Sequence, residues 1–193
     1  VSRPTTSTAS LTTPDMRVAG FMFDVAGDWV WRLTVSNTAG NSATCTTRAF
    51  ARSEEAVRVE LVWNVDRSCR SCNAEGGGID VDLHLSDLSR SMDRWASNAP
   101  DSSDCYYANR RPDTALGAET LQRWLDTDDV DGEGPENIRV DQPAVDRDYL
   151  IGVHYYSSHG QHGPTRAIAL VYCGEQQAAR FEVDLTGDRG VYE

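Results

Sequence analysis

The chain has 193 residues, 39% of them hydrophobic, which is enough for one large domain or two small ones with a modest core. Its formal net charge of -12 argues against a surface that binds nucleic acid phosphates, and no apolar run is long enough to span a membrane. Such an acidic balance is typical of a secreted cation-binding protein, and equally of an ordinary acidic surface.

Strand signals near the N-terminus predict a first module. Residues 18–25 are apolar and predict a strand, and residues 29–35 alternate apolar and polar side chains with the period of a second strand. Residues 37–41, Asn-Thr-Ala-Gly-Asn, predict a hairpin turn, after which residues 42–50 return as the next strand.

The run Phe23-Asp-Val-Ala-Gly-Asp-Trp-Val-Trp-Arg-Leu-Thr-Val-Ser-Asn-Thr-Ala-Gly-Asn resembles the C-terminal half of a PKD-type immunoglobulin-like domain. In that family a Gly-x-Tyr/Trp strand is followed by a Leu-Thr-Val strand and an Asn/Asp-x-x-Gly hairpin. The resemblance implies that residues 1–52 are the C-terminal part of such a domain. We expect either that the chain is a processed fragment or that another chain supplies the remaining strands.

A second module is predicted from residue 57 onward. Strands are predicted from apolar alternation or short apolar runs at 57–63, 79–85, 138–140, 148–156, 166–173 and 178–185. Residues 120–125 are expected to form one helical turn. Short strands separated by Gly, Pro and Asp turns predict an all-β chain, in which an immunoglobulin-like partial sandwich precedes a larger β-sandwich with long loops over residues 57–193.

The most acidic segment covers residues 126–137, Asp-Thr-Asp-Asp-Val-Asp-Gly-Glu-Gly-Pro-Glu-Asn. Its glycines and proline disfavour a helix, and its carboxylates predict an unburied, tight loop with many oxygen atoms close together. Hard divalent cations, above all calcium, prefer such oxygen clusters. The flanking helices of an EF-hand are absent, so we expect a non-helical calcium loop or, alternatively, a solvated acidic turn.

The strand predicted at residues 79–85 places Asp80, Asp82 and His84 on one polar face. Taken alone, this face is as easily exposed to solvent as engaged in binding. If it faces the acidic loop, carboxylates from distant segments meet, and their repulsion is costly without a cation between them. We therefore predict calcium ligands in both segments. They are Asp80, Asp82, Asp126, Asp128, Asp131 and Glu136, with His84 and His154 as weaker candidates.

Three histidines near the C-terminus, His154, His159 and His162, offer an alternative in zinc chemistry. In this alternative His84, His154 and nearby carboxylates serve a metal-dependent or carbohydrate-directed hydrolase. The sequence contains neither an HExxH pattern nor a Gly-x-Ser-x-Gly elbow, so we expect a non-enzymatic protein.

Five cysteines are present: Cys45, Cys69, Cys72, Cys105 and Cys173. The CxxC pair at residues 69–72 lacks the second pair of a zinc ribbon, and the glycines after it forbid the helix of a thioredoxin-type site. We expect disulfides formed in an oxidising compartment. The odd count leaves one thiol free or paired outside the chain, and Cys45 is the candidate.

Five motifs occur in order within the second module: Leu61-Val-Trp-Asn, Asp80-Val-Asp-Leu-His-Leu85, Asp104-Cys-Tyr-Tyr-Ala-Asn109, Asp128-Asp-Val-Asp-Gly-Glu-Gly-Pro-Glu-Asn137 and Tyr149-x-x-Gly-Val-His-Tyr-Tyr156. Together they resemble an uncharacterised bacterial β-domain family of YfaP-like secreted proteins, over residues 57–185. The resemblance implies a β-sandwich exported from a bacterium, extracellular or at the cell surface, with no established enzymatic activity.

The leading hypothesis is a non-enzymatic extracellular or cell-surface interaction module that is stabilised by calcium. We expect its partner to be a protein or a cell-surface glycan. We expect the chain neither to bind nucleic acid nor to span a membrane. Two alternatives stay open. One is a structural subunit of a surface filament or assembly, which self-assembles as another chain completes the first module by strand addition. The other is the hydrolase.

Overall fold

The computed structural model describes residues 2–5, 7, 9–12, 14, 18–63, 78–87, 103–112, 115–116, 119–120, 122–130, 134–143, 148–159, 165–186 and 191–192. The chain divides into two compact units, Val1–Arg52 and Ser53–Glu193. Within the described ranges every element is a strand, all paired strands are antiparallel, and no helix could cross a membrane. The all-β prediction is confirmed.

The first unit is built on one long hairpin, as predicted. Strand β1 (Gly27–Ser36) pairs with β2 (Ser42–Ala51) along its whole length. The side-chain oxygen of Asn37 accepts hydrogen bonds from the backbone N–H groups of Ala39 and Asn41, both at 3.0 Å. An asparagine that satisfies backbone donors in this way favours the tight turn over continued strand.

The strand predicted at residues 18–25 is wrong, because the described part of this segment contributes only an isolated β-bridge. Phe21 and Phe23 instead pack edge-on against Trp29 and Trp31, with ring centroids 4.8 to 5.8 Å apart. Edge-to-face contacts at these distances are favourable without a hydrogen-bonded ladder. The apolar pattern therefore marks an aromatic cluster.

The second unit contains two principal antiparallel sheets. The five-stranded sheet has the order β11 (Gln176–Leu185), β10 (Thr165–Cys173), β3 (Val57–Trp63), β8 (Glu136–Val140) and β7 (Arg123–Thr127). The three-stranded sheet has the order β12 (Val191–Tyr192), β9 (Tyr149–Ser157) and β4 (Asp80–Asp87). A separate pair consists of β5 (Ala115–Leu116) and β6 (Glu119–Thr120).

Both principal sheets contribute one face to a common hydrophobic core. Its fully or almost fully buried members are Val59, Leu61, Trp63, Ile79, Val81, Leu83, Leu85, Cys105, Leu125, Ile138, Val140, Val153, Tyr155, Ala167 and Leu185. The Trp63 indole N–H donates a 2.7 Å hydrogen bond to the Ile79 carbonyl, which ties the two sheets together. Two sheets that share one core form a sandwich, and each large apolar side chain buried in it contributes roughly 1.5–3 kcal/mol.

The helical turn predicted at residues 120–125 is wrong, since this part of the chain enters β7 at Arg123. The Arg123 side chain is buried and lies 3.5 Å from the Leu85 carbonyl oxygen, to which it donates. A strand this short shows too few alternations for its period to be read, and a buried arginine further hides its inward face.

Gly134→Ala is expected to destabilise the second unit. Gly134 has a φ of +81°, and a Cβ at this position would lie 2.8 Å from the Trp63 ring and 3.1 Å from the Leu61 carbonyl oxygen. The left-handed conformation costs a side chain about 1–2 kcal/mol and overpacking adds about 1–3 kcal/mol. We expect the free energy of unfolding, measured with urea, to fall by about 2–5 kcal/mol.

Gly174→Ala is the matched control for this substitution. Gly174 also has a positive φ, +57°, but no described heavy atom lies within 4 Å of a Cβ placed there. It should therefore show only the conformational cost of about 1–2 kcal/mol. Equal losses in the two variants would contradict close packing of the acidic segment against β3.

Candidate metal centre

The acidic segment connects the two strands of the β7–β8 hairpin. Thr127 pairs with Asn137 at the base of this connection, and the register shifts between Leu125 and Thr127. Asp128 follows β7 directly, while Glu136 is the first residue of β8. The hairpin therefore holds one carboxylate at each end of the loop.

Three predicted ligands from two distant segments meet beside this loop. Asp82, Asp128 and Glu136 each place one carboxylate oxygen within 4.8 Å of the other two. Glu136 is 0% exposed and Asp82 3% exposed, while the Asp128 side chain is 20% exposed. We call these three residues the carboxylate cluster.

Glu136 joins the two sheets of the sandwich directly. Its Oε2 accepts a 2.6 Å hydrogen bond from the backbone N–H of Leu83, on the edge of β4 that does not pair with β9. Glu136 of the five-stranded sheet thus accepts a backbone hydrogen bond from β4 that a neighbouring strand would otherwise accept. This bond fixes the position of the Glu136 side chain relative to Asp82, which precedes Leu83 on β4.

One oxygen of each carboxylate in the cluster lacks a hydrogen-bond donor among the described residues. Among the described residues, Glu136 Oε1, Asp82 Oδ2 and Asp128 Oδ1 are buried and accept no hydrogen bond. Buried polar atoms in folded proteins are nearly always paired, because losing water without a partner costs free energy. Converging carboxylate oxygens that no protein donor occupies are the ligands a hard cation requires.

Burial, together with charge repulsion at the cluster, raises the pKa of Glu136. Burial raises this pKa well above its ordinary value, and the negative charges of Asp82, Asp128 and Asp80 raise it further. The hydrogen bond from Leu83 lowers this pKa, an effect smaller than that of burial but larger than that of any one of the three charges. The arrangement therefore favours a bound proton or a bound cation over three bare carboxylates.

The other predicted ligands have different positions. Asp80 is buried and close enough to influence Glu136, but it lies outside the group of mutually close atoms. Asp126 lies in β7 and forms an ion pair with Arg139 at 3.6 Å, so it is not brought into the cluster. Asp131 lies outside the described residues.

His84 and His154 form a second group with Asp82, again with one atom of each within 4.8 Å of the others. His84 Nδ1 lies 2.8 Å from Asp104 Oδ2, and His154 Nδ1 lies 3.4 Å from Asp82 Oδ2. Asp104 was missed as a site residue. The only feature of the sequence that marks Asp104 is its position directly before the segment Cys-Tyr-Tyr, which lies along β4.

The other predicted features of this region are placed as follows. His159 Nδ1 lies 2.9 Å from the Gly78 carbonyl oxygen and belongs to neither group, while residue 162 falls outside the described residues. The polar face of β4 is not solvent-facing, because Asp80, Asp82 and His84 are all buried. Glu136 likewise corrects the expectation that no part of the acidic segment is buried.

The cysteines that the structure describes form no disulfide. Cys45, Cys105 and Cys173 are free, and Cys69 and Cys72 lie outside the described residues. Burial, supported by the charge of Asp104, raises the pKa of the Cys105 thiol to about 12. A thiol held protonated in this way is a core residue and a poor nucleophile or metal ligand.

Comparisons of the chain with protein-family models, with curated proteins and with solved structures find no match. The resemblances to YfaP-like proteins and to PKD domains therefore stay predictions. What the site can do has to be derived from its own residues.

Glu136→Gln is expected to change how stability depends on pH in the absence of divalent cations. The pKa of Glu136 is higher in the folded protein than its ordinary value of 4.5, so the folded state binds this proton more tightly than the unfolded state. The stability contributed by this proton is therefore fully present below about pH 4.5. It is lost as the pH rises through the raised pKa of Glu136 in the folded state.

The glutamine variant keeps an acceptor for the Leu83 N–H but carries no titrating charge. Urea unfolding in a chelator should show it less sensitive to rising pH, and more stable than wild type at neutral pH. If wild type and variant lose stability in parallel above pH 4.5, the Glu136 charge is not the origin of the effect.

Proposed function

We propose that the Ser53–Glu193 unit is a calcium-stabilised, non-enzymatic interaction module of the extracellular space or cell surface. The observation that carries this proposal is the carboxylate cluster, Asp82, Asp128 and Glu136, with its buried oxygens that accept no hydrogen bond. The exported, bacterial character rests on the resemblance to YfaP-like proteins alone.

Electrostatics supports a bound cation at the cluster. Two charged carboxylates about 5 Å apart repel each other by about 3 kcal/mol at an effective dielectric constant of 20, and the cluster has three such pairs. Arg110 lies 3.8 Å from the exposed side of Asp128 and is itself half exposed, so it compensates little of this charge. A divalent cation among the three oxygens would replace the repulsion by attraction.

The chemistry of the ligands supports calcium as that cation. All three ligands are carboxylates, the hard oxygen donors that calcium and magnesium prefer. Magnesium keeps several water molecules and is rarely enclosed by protein ligands, whereas calcium accepts six to eight oxygens in flexible geometry. Two of the three carboxylates are almost fully buried, which favours calcium.

A cation at this position would hold the acidic loop against β4. Val130, in the described part of that loop, is 53% exposed and therefore available to a partner. A loop that is ordered before a partner arrives loses less conformational entropy on binding. The proposed role of calcium is therefore to present the loop in one conformation to a protein or glycan partner.

A different observation favours strand addition as a second candidate. Leu33 and Val35 on β1 are 58% and 60% exposed, and in the described part of the chain β2 pairs with β1 alone. An open strand edge beside exposed apolar side chains is a surface onto which another strand can pair. Concentration-dependent sedimentation that Leu33→Glu abolishes is the expected result, and a wild-type chain that stays monomeric at high concentration contradicts it.

Calcium is expected to raise the melting temperature of the wild-type chain relative to the same chain in EGTA. A ligand that binds only the folded state adds about 2.7 kcal/mol at one hundred times its Kd. Asp128→Asn removes one ligand at the partly exposed edge of the cluster, so most of the calcium-dependent increase should disappear in this variant.

Asp126→Asn is the matched control, because it makes the same change in the same acidic segment but outside the cluster. Its melting temperature should still respond to calcium as that of the wild type does. The measurement is differential scanning calorimetry with calcium chloride and with EGTA. Equal responses of the two variants, or no response of the wild type, would sink the proposed site.

A further inference from the structure

We infer that Asp82, His84 and His154 form a second metal site, which takes a late first-row transition ion of the zinc type. We call these residues the histidine group. Its two imidazole nitrogens and one carboxylate differ chemically from the all-oxygen carboxylate cluster, because nitrogen donors suit zinc and its neighbours while calcium avoids them. The two groups share Asp82, so the sites are told apart by variants of residues that belong to one group alone.

Strand geometry alone places the three ligands of the histidine group. Asp82 and His84 are two residues apart on β4 and therefore share one face of the sheet. His154 lies on β9 directly opposite Asp82 in the antiparallel register. Same-face and cross-strand neighbours of this kind are held by the sheet itself, so the group is rigid before any metal arrives.

Asp104 orients His84 in the manner seen for metal-binding histidines. Its Oδ2 lies 2.8 Å from His84 Nδ1, and both side chains are buried. Two backbone hydrogen bonds between Leu85 and Cys105 hold Asp104 beside β4. A carboxylate at Nδ1 fixes the proton on that nitrogen and directs the lone pair of Nε2 toward a metal.

The separation of Asp82 and His154 agrees better with two metal ligands than with a direct pair. Asp82 Oδ2 lies 3.4 Å from His154 Nδ1 and accepts no hydrogen bond, whereas charge-assisted bonds are about 2.7–2.9 Å long. Two ligand atoms bound tetrahedrally to zinc, each at about 2.1 Å, lie roughly 3.4 Å apart. The observed distance suits a shared ion.

The site opens to solvent on the side of His154. His84 and Asp82 are buried, but the His154 side chain is 20% exposed. Tyr156 lies beside it with ring centroids 5.9 Å apart, and Tyr107 continues this half-exposed aromatic rim. Three protein ligands leave one tetrahedral position, so an outside ligand could reach the ion along the tyrosines.

Cobalt(II) and zinc(II) salts added to the metal-stripped full chain test the site. Wild type should bind zinc in titration calorimetry, and cobalt should give the visible d–d bands of a low-coordinate ion, which zinc then removes. His154→Gln should lose these bands and bind zinc at least tenfold more weakly. Asp104→Asn should weaken binding about 10–100-fold through the orientation of His84.

Asp128→Asn is the matched control, because Asp128 belongs to the carboxylate cluster and not to the histidine group. It should keep the cobalt bands even where calcium binding is lost, so failure of one site is distinguishable from failure of the other. The melting temperature of each variant in EDTA shows that it folds.

Three outcomes would overturn the inference. The first is a folded wild-type chain that gives no visible cobalt bands. The second is unchanged zinc affinity in His154→Gln. The third is a cobalt spectrum dominated by thiolate charge-transfer absorption, which would place the ion on cysteines.

Discussion

A buried glutamate that spans the two sheets of the second unit sets the conditions for the rest of its structure. Glu136 is fully buried, and its one hydrogen bond in the described structure comes from the backbone of Leu83 on the opposite sheet. Burial raises its pKa, and the charges of Asp82 and Asp128 beside it raise the pKa further. The sandwich therefore favours a positive partner, a proton or a cation, at this point.

Strand β4 links the charge at Glu136 and Asp82 to the stability of the sandwich. Its apolar residues Val81, Leu83 and Leu85 lie in the core, while Asp80, Asp82 and His84 are buried on the other face. One strand thus contributes to the core and to both groups of potential metal ligands. A change in charge on the polar face of β4 is expected to alter the packing of both sheets. Any displacement of the strand also displaces its apolar side chains in the core.

The sequence predicted the strands better than it predicted the site. Period-two alternation located β1, β3 and β4 because their inward faces are apolar, whereas β7 was missed since buried Arg123 interrupts the pattern. The sequence did not predict that β4 meets the acidic loop; this meeting was only the condition under which a cation was expected there.

The choice among the acidic residues was not predictable from sequence. The register shift in the β7–β8 hairpin leaves Asp128 at the cluster and Asp126 beside Arg139. Residues 126–137 carry no apolar alternation from which this register could be predicted. The His84–Asp104 contact joins segments with no pattern in common. The most direct measurement is an anomalous-difference map from crystals grown with calcium chloride. The account predicts a peak about 2.3–2.6 Å from oxygens of Asp82, Asp128 and Glu136; carboxylates joined by short hydrogen bonds, with no anomalous peak among them, would contradict it.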